Sequence, residues 1–174
     1  MANSDNPHGL APLMRTLSGG FPSVREYKKD ADEATALFIH DVVSRDDDQN
    51  LADGGTPGTT KYQGVNLVYG AAATVSLHLV MDSPDALYEA QDDDATTGLL
   101  EATMGLNANL IFGAGSAASF ISGHEIDGDT ANTTASLDVH LLRKLDAPDN
   151  AYGPHCRVEI VFSAHRLNPG VAGV

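Results

Sequence analysis

Residues 75–81 read Val-Ser-Leu-His-Leu-Val-Met. Val75, Leu77, Leu79 and Met81 fall on one side of a period of two, with Ser76 and His78 on the other. Successive side chains of an extended strand point to opposite faces, so this alternation predicts a strand and not a helix. The same period recurs in 137–141, LDVHL, and in 158–162, VEIVF. Residues 63–69, QGVNLVY, set Val65, Leu67 and Tyr69 on one face, and 106–112, LNANLIF, add a further candidate strand. Residues 36–43, ALFIHDVV, are rich in β-favouring side chains and predict a strand of their own. Only 30–36, DADEATA, and 99–104, LLEATM, have helix-favouring composition, and both are short. Many short strands separated by Gly, Pro, Asn and Asp point to an all-β chain. The expected architecture is a single-domain antiparallel β-barrel or jelly-roll-like sandwich. At 174 residues the chain is long enough for one domain with a sizeable core and needs no disulfide or metal to fold.

The first 24 residues differ from the rest. Pro7, Pro12 and Pro22 interrupt any helix, Gly9, Gly19 and Gly20 loosen the chain, and the apolar residues follow no clean period. Residues 1–24 are therefore read as an extended N-terminal arm, and residues 25–174 as the β-rich domain. Apolar side chains on such an arm need a surface to cover. This makes Leu10, Leu13, Met14, Leu17 and Phe21 the candidate partner contacts. Removal of the arm is expected to abolish partner binding and leave the fold intact. The stretch from Arg45 to Thr60 holds Gly, Pro, Asp and Asn at the density of a long exposed loop. Its run Asp46-Asp47-Asp48 reads as solvated, with calcium binding as the sharper alternative.

Net charge is −14, from 24 acidic and 10 basic residues. Phosphate backbones and anionic membranes repel such a chain, so neither nucleic acid nor membrane is expected as a partner. The acidic surface serves solubility or docking on a basic protein surface. The lone Cys156 sits beside a strand-like run and is expected to be a buried, inert thiol. The opening MANSDNPHGL has neither the basic region nor the apolar run of a signal peptide, so synthesis without export is expected.

The motifs that carry chemistry fail on inspection. Gly113-Ala-Gly115 comes after a strand-like run, as a dinucleotide loop does, but the residues beyond it read as strands and not as a βαβ unit. A small-residue turn accounts for it better. Seven histidines include no HExxH or HxH spacing. His78 and His140 lie on the polar sides of alternating strands and would form a metal site only if those strands were neighbours. Asp127-Gly-Asp129 starts like a calcium loop, yet Asn132 stands where the loop needs glycine. A polar turn, HEIDGDTANTT, explains the same letters, with a looser site around Glu125 left open. There is no GxSxG, and runs such as Asp92-Asp93-Asp94 mark solvated loops more often than a catalytic acid and base. No enzyme activity and no cofactor are expected.

The order of elements along the whole chain resembles the tailed-bacteriophage capsid decoration (cement) proteins. The resemblance is carried by the opening Met-Ala-Asn with Pro7-His-Gly9-Leu10, by Tyr27, and by the ALFIHDVV strand, where His40 stands in place of an expected glycine. It continues in Met81 to Gln91, with Pro84, Tyr88, Glu89 and Gln91, and in Asn150-Ala-Tyr-Gly153 with the strand at 157–162 and His165 after it. Ser83 stands where an Asp is expected, and the 45–60 stretch departs from the pattern. The resemblance implies a structural protein on the outside of a phage capsid, stabilising the shell by bridging major capsid subunits as a homo-oligomer, typically a trimer. Two other classes stay open: a β-sandwich binding module of another virion component, such as a tail or carbohydrate-binding protein, and a metal-dependent enzyme on a β-scaffold.

Overall fold

A computed structural model describes residues 3–58 and 60–167. Eleven strands and one short 3-10 turn make up its regular structure. The strands are β1 (Ala11–Thr16), β2 (Val24–Lys29), β3 (Val42–Arg45), β4 (Leu51–Asp53), β5 (Gly64–Asn66), β6 (Ser76–Met81), β7 (Ala86–Gln91), β8 (Asn107–Ile111), β9 (Glu125–Asn132), β10 (Val139–Lys144) and β11 (Arg157–Phe162). They form two bodies. One is a six-stranded sheet in the order β1-β7-β11-β10-β8-β9, and the other a closed barrel, β2-β4-β3-β5-β6. All pairings between these strands are antiparallel except β2 with β4, which meet in parallel at Lys29 and Leu51. The all-β expectation, barrel included, agrees with this architecture.

The sheet and the barrel share one large core. Val42, Val65 and Met81 lie side by side on β3, β5 and β6 and belong to the same apolar cluster as Tyr88, Val139, Leu141, Val158, Ile160 and Phe162 of the sheet. The neighbouring residues Val43 and Val80 point the other way. They close a small second cluster inside the barrel with Leu37 and Leu51. One wall of the barrel is thus buried on both faces, which explains why Val42-Val43 and Val80-Met81 are consecutive buried pairs.

The rest of β6 reverses the expected orientation. Leu77 is 61% exposed, and Val75 and Leu79 are exposed too, while Ser76 is half-buried and His78 is fully inside. The imidazole shares hydrogen bonds at 2.9 Å with Asn66 Oδ1 and with Ser76 Oγ. Room for the ring comes from Gly70, where a Cβ would collide with the imidazole. Lys29 is fully buried in the same barrel, and its Nζ donates to the carbonyls of Glu33, Ala71 and Thr74. Buried polar groups survive only when bonded in this way.

Several local expectations change. Residues 36–43 are not a continuous strand. Isolated bridges join Leu37 to Gly70 and Ile39 to Ile121, and His40 then turns the chain at φ 73° before β3 begins. Positive φ favours glycine, and this is the position where the resemblance expects one. The 45–60 stretch is not one loop, because β4 folds back on β3 within it. The stretch read as a turn at 124–134 is mostly strand β9, paired with β8. Of the two helix candidates, 99–104 yields only the 3-10 turn Glu101–Thr103, and 30–36 yields none.

The N-terminal segment is not separable from the domain. β1 pairs with β7 at the edge of the sheet, β2 begins at Val24, and Leu10 is fully buried in the main core. Deletion of residues 1–24 would strip an edge strand and a core leucine, so the fold would not survive it intact, contrary to the sequence reading.

Candidate functional site

Residues far apart in sequence meet beside the barrel. At a tight turn, Asp41 Oδ2 accepts the Phe38 amide at 2.5 Å, and the Asp41 carbonyl accepts the Asn66 amide at 2.8 Å. Asp53 ends β4 and accepts the Gly54 amide at 2.8 Å. His124 stands just before β9, with its amide held by Ser122 Oγ and its ring edge-on to Phe112. These anchors put His124 Nε2 3.3 Å from Asp41 Oδ1 and 3.8 Å from Asp53 Oδ1. One ligand atom from each residue lies within 4.8 Å of the others, the only such metal-competent trio among the described residues. The trio opens into a cleft of about 320 Å³ lined also by Phe38, Phe112, Gly113 and Gly115.

The tautomer decides what this trio can do. His124 Nδ1 accepts the Val42 amide at 3.2 Å. The neutral ring therefore carries its proton on Nε2, the atom that faces the carboxylates. A metal needs the lone pair of that nitrogen, whereas metal-bound histidines normally donate from the other one. The trio fits proton sharing better than metal ligation. Burial pushes Asp41 up to about 7, with the Asp53 charge adding to it, while the Phe38 amide and the Ser122 hydroxyl restrain the shift. Burial brings His124 down to about 4. At neutral pH the histidine is neutral, and its Nε2 lies 3.3 Å from the buried Asp41 Oδ1, close enough to share a proton but not aligned as a hydrogen bond.

A second concentration of acid lies where β9 meets the end of β7. Asp92 is fully buried, with both oxygens outside any hydrogen bond. Burial first, then the charges of Asp93 and Asp94, pushes it up to about 7; the amides of Leu99 and Gly128 are near enough to restrain the rise. Glu125 is raised to about 7 by burial and by Asp5 and Asp93. The Asp92–Asp94 run is thus not wholly solvated: Asp94 caps the turn to Gly98, while Asp92 is part of the interior. Asp127 and Asp129 sit on strand β9, raise no EF-hand loop, and belong to no metal-competent group among the described residues.

The other sequence candidates lie apart from both clusters. His78 is in the barrel and His140 in the sheet, half-buried against Asn107 Oδ1, so the two are not brought together. Cys156 is buried, and burial raises its thiol to about 11, an inert state. The Gly113-Ala-Gly115 stretch leads into no helix. Its glycines allow close passage, with Gly113 against the Gly123 carbonyl and Gly115 against the Phe38 ring. Of the five N-terminal apolar residues, Leu10 is core and unavailable to a partner, and Leu13 is half-buried. Met14 and Leu17 are exposed, and Phe21 is 90% exposed at the connection between β1 and β2. No spacing rule could have joined Asp41, Asp53 and His124, since the sheet and barrel pairings alone bring them together.

Comparison with family models, with curated proteins and with solved structures finds no match to this chain.

Proposed function

We propose that this chain is a structural virion protein that coats the outside of a phage capsid and bridges major capsid subunits, acting as a homo-oligomer and performing no reaction. The observation that carries the reading is Phe21. An aromatic side chain 90% exposed has no partner in its own domain. It stands with exposed Leu17 and Met14 on the segment whose apolar residues the sequence marks as candidate partner contacts. Aromatic anchors of this kind supply most of the energy of protein interfaces. The left-handed His40, at the position where the resemblance expects glycine, adds support from the backbone.

The physics of coating suits a contact built from a few exposed side chains. Many copies on one particle sum weak contacts, and each copy needs only a modest footprint. Since the segment also builds β1, the test must spare the fold. Phe21→Ser combined with Leu17→Ser removes the exposed apolar surface and leaves Leu10 and the β1–β7 pairing in place. The double variant is expected to unfold at the wild-type temperature and to bind bare capsids at least about tenfold more weakly, as loss of a hot spot implies. Undiminished coating by the double variant would refute the contact, and failure of the wild-type protein to bind any capsid would refute the function.

A further inference from the structure

The ten lysines and arginines divide into two groups. Arg15 and Arg143 pair with Glu159, Arg25 with Asp82, Lys28 with Asp30, and Arg157 with Glu89 and Asp149. Lys29 and Lys144 are lodged on backbone carbonyls. Three more, Arg45, Lys61 and Arg166, likewise form no ion pair among the described residues, and the two arginines each spend only one N–H on a backbone carbonyl. All three line one cleft of about 380 Å³, together with Ser44 and Thr60 and with no carboxylate among the described residues. In a chain with 24 acidic residues, a place lined by three cations and by no carboxylate among the described residues stands out on chemical grounds.

The cleft is built and not accidental. Arg45 closes β3, donates from Nε to the Gln49 carbonyl at 3.2 Å, and lies 5.6 Å from the Tyr27 ring centroid. Its fork is therefore held in place. Tyr62 bridges in parallel to His165, and the Arg166 amide donates to the Tyr62 carbonyl at 2.9 Å, so Lys61 and Arg166 are set on adjacent chain segments. Arg166 Nη1 also reaches the Arg45 carbonyl at 3.5 Å. Phosphate sites usually present free backbone amides. Here the amides of Thr60 and Arg166 are already bonded, to Thr56 and Tyr62. Two guanidinium forks and an ammonium over an open cleft match carboxylates spaced along a peptide.

We infer that the cleft formed by Arg45, Lys61 and Arg166 docks an acidic peptide segment carrying two or more Asp carboxylates, supplied by a second copy of this chain. The exposed run Asp46-Asp47-Asp48, at the turn between β3 and β4, is the segment that fits. It adjoins Arg45 in sequence, so each copy carries the basic cleft and the acidic run side by side. Two copies related by a twofold axis can then exchange the same contact in both directions. The contact does not rest on the capsid reading, because peptide binding and self-association are measurable in solution without any capsid.

The first probe is a hexa-aspartate peptide titrated into the full chain at low and at physiological salt. Binding is expected at low salt and should weaken as salt rises. Lys61→Gln with Arg166→Gln should weaken it about tenfold or more, a fold-change in keeping with loss of charge-assisted bonds. Arg143→Gln, on the sheet, should leave it unchanged. Binding that survives the double variant, or inorganic phosphate that binds as tightly as the peptide, would overturn the inference. The second probe is sedimentation at physiological salt, where repulsion between the two net charges is screened beyond about 8 Å. Wild type should self-associate, and both Lys61→Gln with Arg166→Gln and Asp47→Asn with Asp48→Asn should weaken that association about tenfold or more. A wild-type chain that stays monomeric, or association that neither pair of substitutions weakens, would overturn the assignment to a second copy.

Discussion

The barrel and the sheet are made from similar strands but held by different forces. The sheet's inner face, from Tyr88 through Val139 and Ile160 to Phe162, is a continuous apolar cluster. Among the described residues the barrel interior has Leu37, Val43, Leu51 and Val80 as its buried apolar set, with Tyr27 packed against it, and Lys29, Asn66 and His78 are buried in the same barrel. Burial of apolar area stabilises without regard to direction. A polar interior stabilises little on balance, but it penalises each missing partner heavily. The sheet should therefore respond to lost volume, and the barrel to lost hydrogen bonds.

The largest expected effect comes from the sheet. Ile160→Ala removes a fully buried side chain from the middle of β11. It should cost about 2–5 kcal/mol as a large-to-small core substitution. At this chain length that lowers the melting temperature by roughly 5–20 °C. A loss under about 1 kcal/mol would show that the large cluster is not the main support. Lys29→Ala tests the other half of the contrast. It withdraws the donor from the Ala71 carbonyl and leaves the Glu33 carbonyl with the Ala73 amide alone. About 2–3 kcal/mol should be lost, with amide exchange rising in β2, β4 and β6 and unchanged in β10 and β11. Uniform exchange across both bodies would mean that they unfold as one unit and that the contrast is only chemical.

Buried carboxyls and buried histidines respond to pH in opposite senses, and each body holds both kinds. Asp92, in the sheet, has a folded value raised to about 7, well above its ordinary 3.8. A raised carboxyl contributes stability that is complete below pH 3.8 and lost as pH rises through about 7. His124 works in the opposite sense. Its value is lowered to about 4 from 6.5, so its contribution is present above pH 6.5 and lost as pH falls towards 4. In the barrel, burial lowers His78 in the same direction as His124. Asp92→Asn keeps the shape of the side chain and removes the titration. The variant should lose part of the advantage of pH 5.5 over pH 8 in melting temperature, by a few degrees. An identical pH profile in wild type and variant would place the proton elsewhere.

The same contrast explains what was legible in the sequence. Alternation is informative when one face is dry, and the strands at 137–141 and 158–162 accordingly appear as β10 and β11 with Val139, Leu141, Val158 and Ile160 in the core. In β6 the alternation was real but its orientation was inverted, because the barrel interior accepts His78 and leaves Leu77 outside. Nothing local in VSLHLVM could report that; it depends on Asn66 and on the space at Gly70, several residues away. Strand β1 was missed because an exposed edge with Pro12 and a positive-φ Met14 has no period to read, and β2 because VREYKK is charged and mostly exposed. The exposed Phe21 was identifiable from its Pro- and Gly-rich surroundings, whereas the burial of Leu10 required the sheet. The cationic cleft was invisible in a net charge of −14, since the ion pairs of five other bases, and the carbonyls that hold Lys29 and Lys144, are tertiary facts.

The smallest effect is expected where the barrel's lead-in bends, at His40. Its φ of 73° is unfavourable for a side chain, and glycine would relieve roughly 1 kcal/mol. Against that, Nδ1 of His40 bonds the carbonyl of His8 at 3.0 Å, linking this bend to the N-terminal segment. The bond is half-buried, and its loss costs about 0.5–1.5 kcal/mol. The two terms nearly cancel, so His40→Gly should move stability by less than about 1 kcal/mol. Its effect on exchange should nevertheless be local, with faster exchange near Leu10, whose amide donates to the His40 carbonyl. Gly9 packs so close to that carbonyl that a Cβ would stand 2.5 Å from it, so Gly9→Ala must push the two segments apart. If His40→Gly is neutral while Gly9→Ala is severe, the bend is held by backbone fit and the imidazole is dispensable. If His40→Gly is itself severe, the histidine is the tie between the N-terminal segment and the barrel.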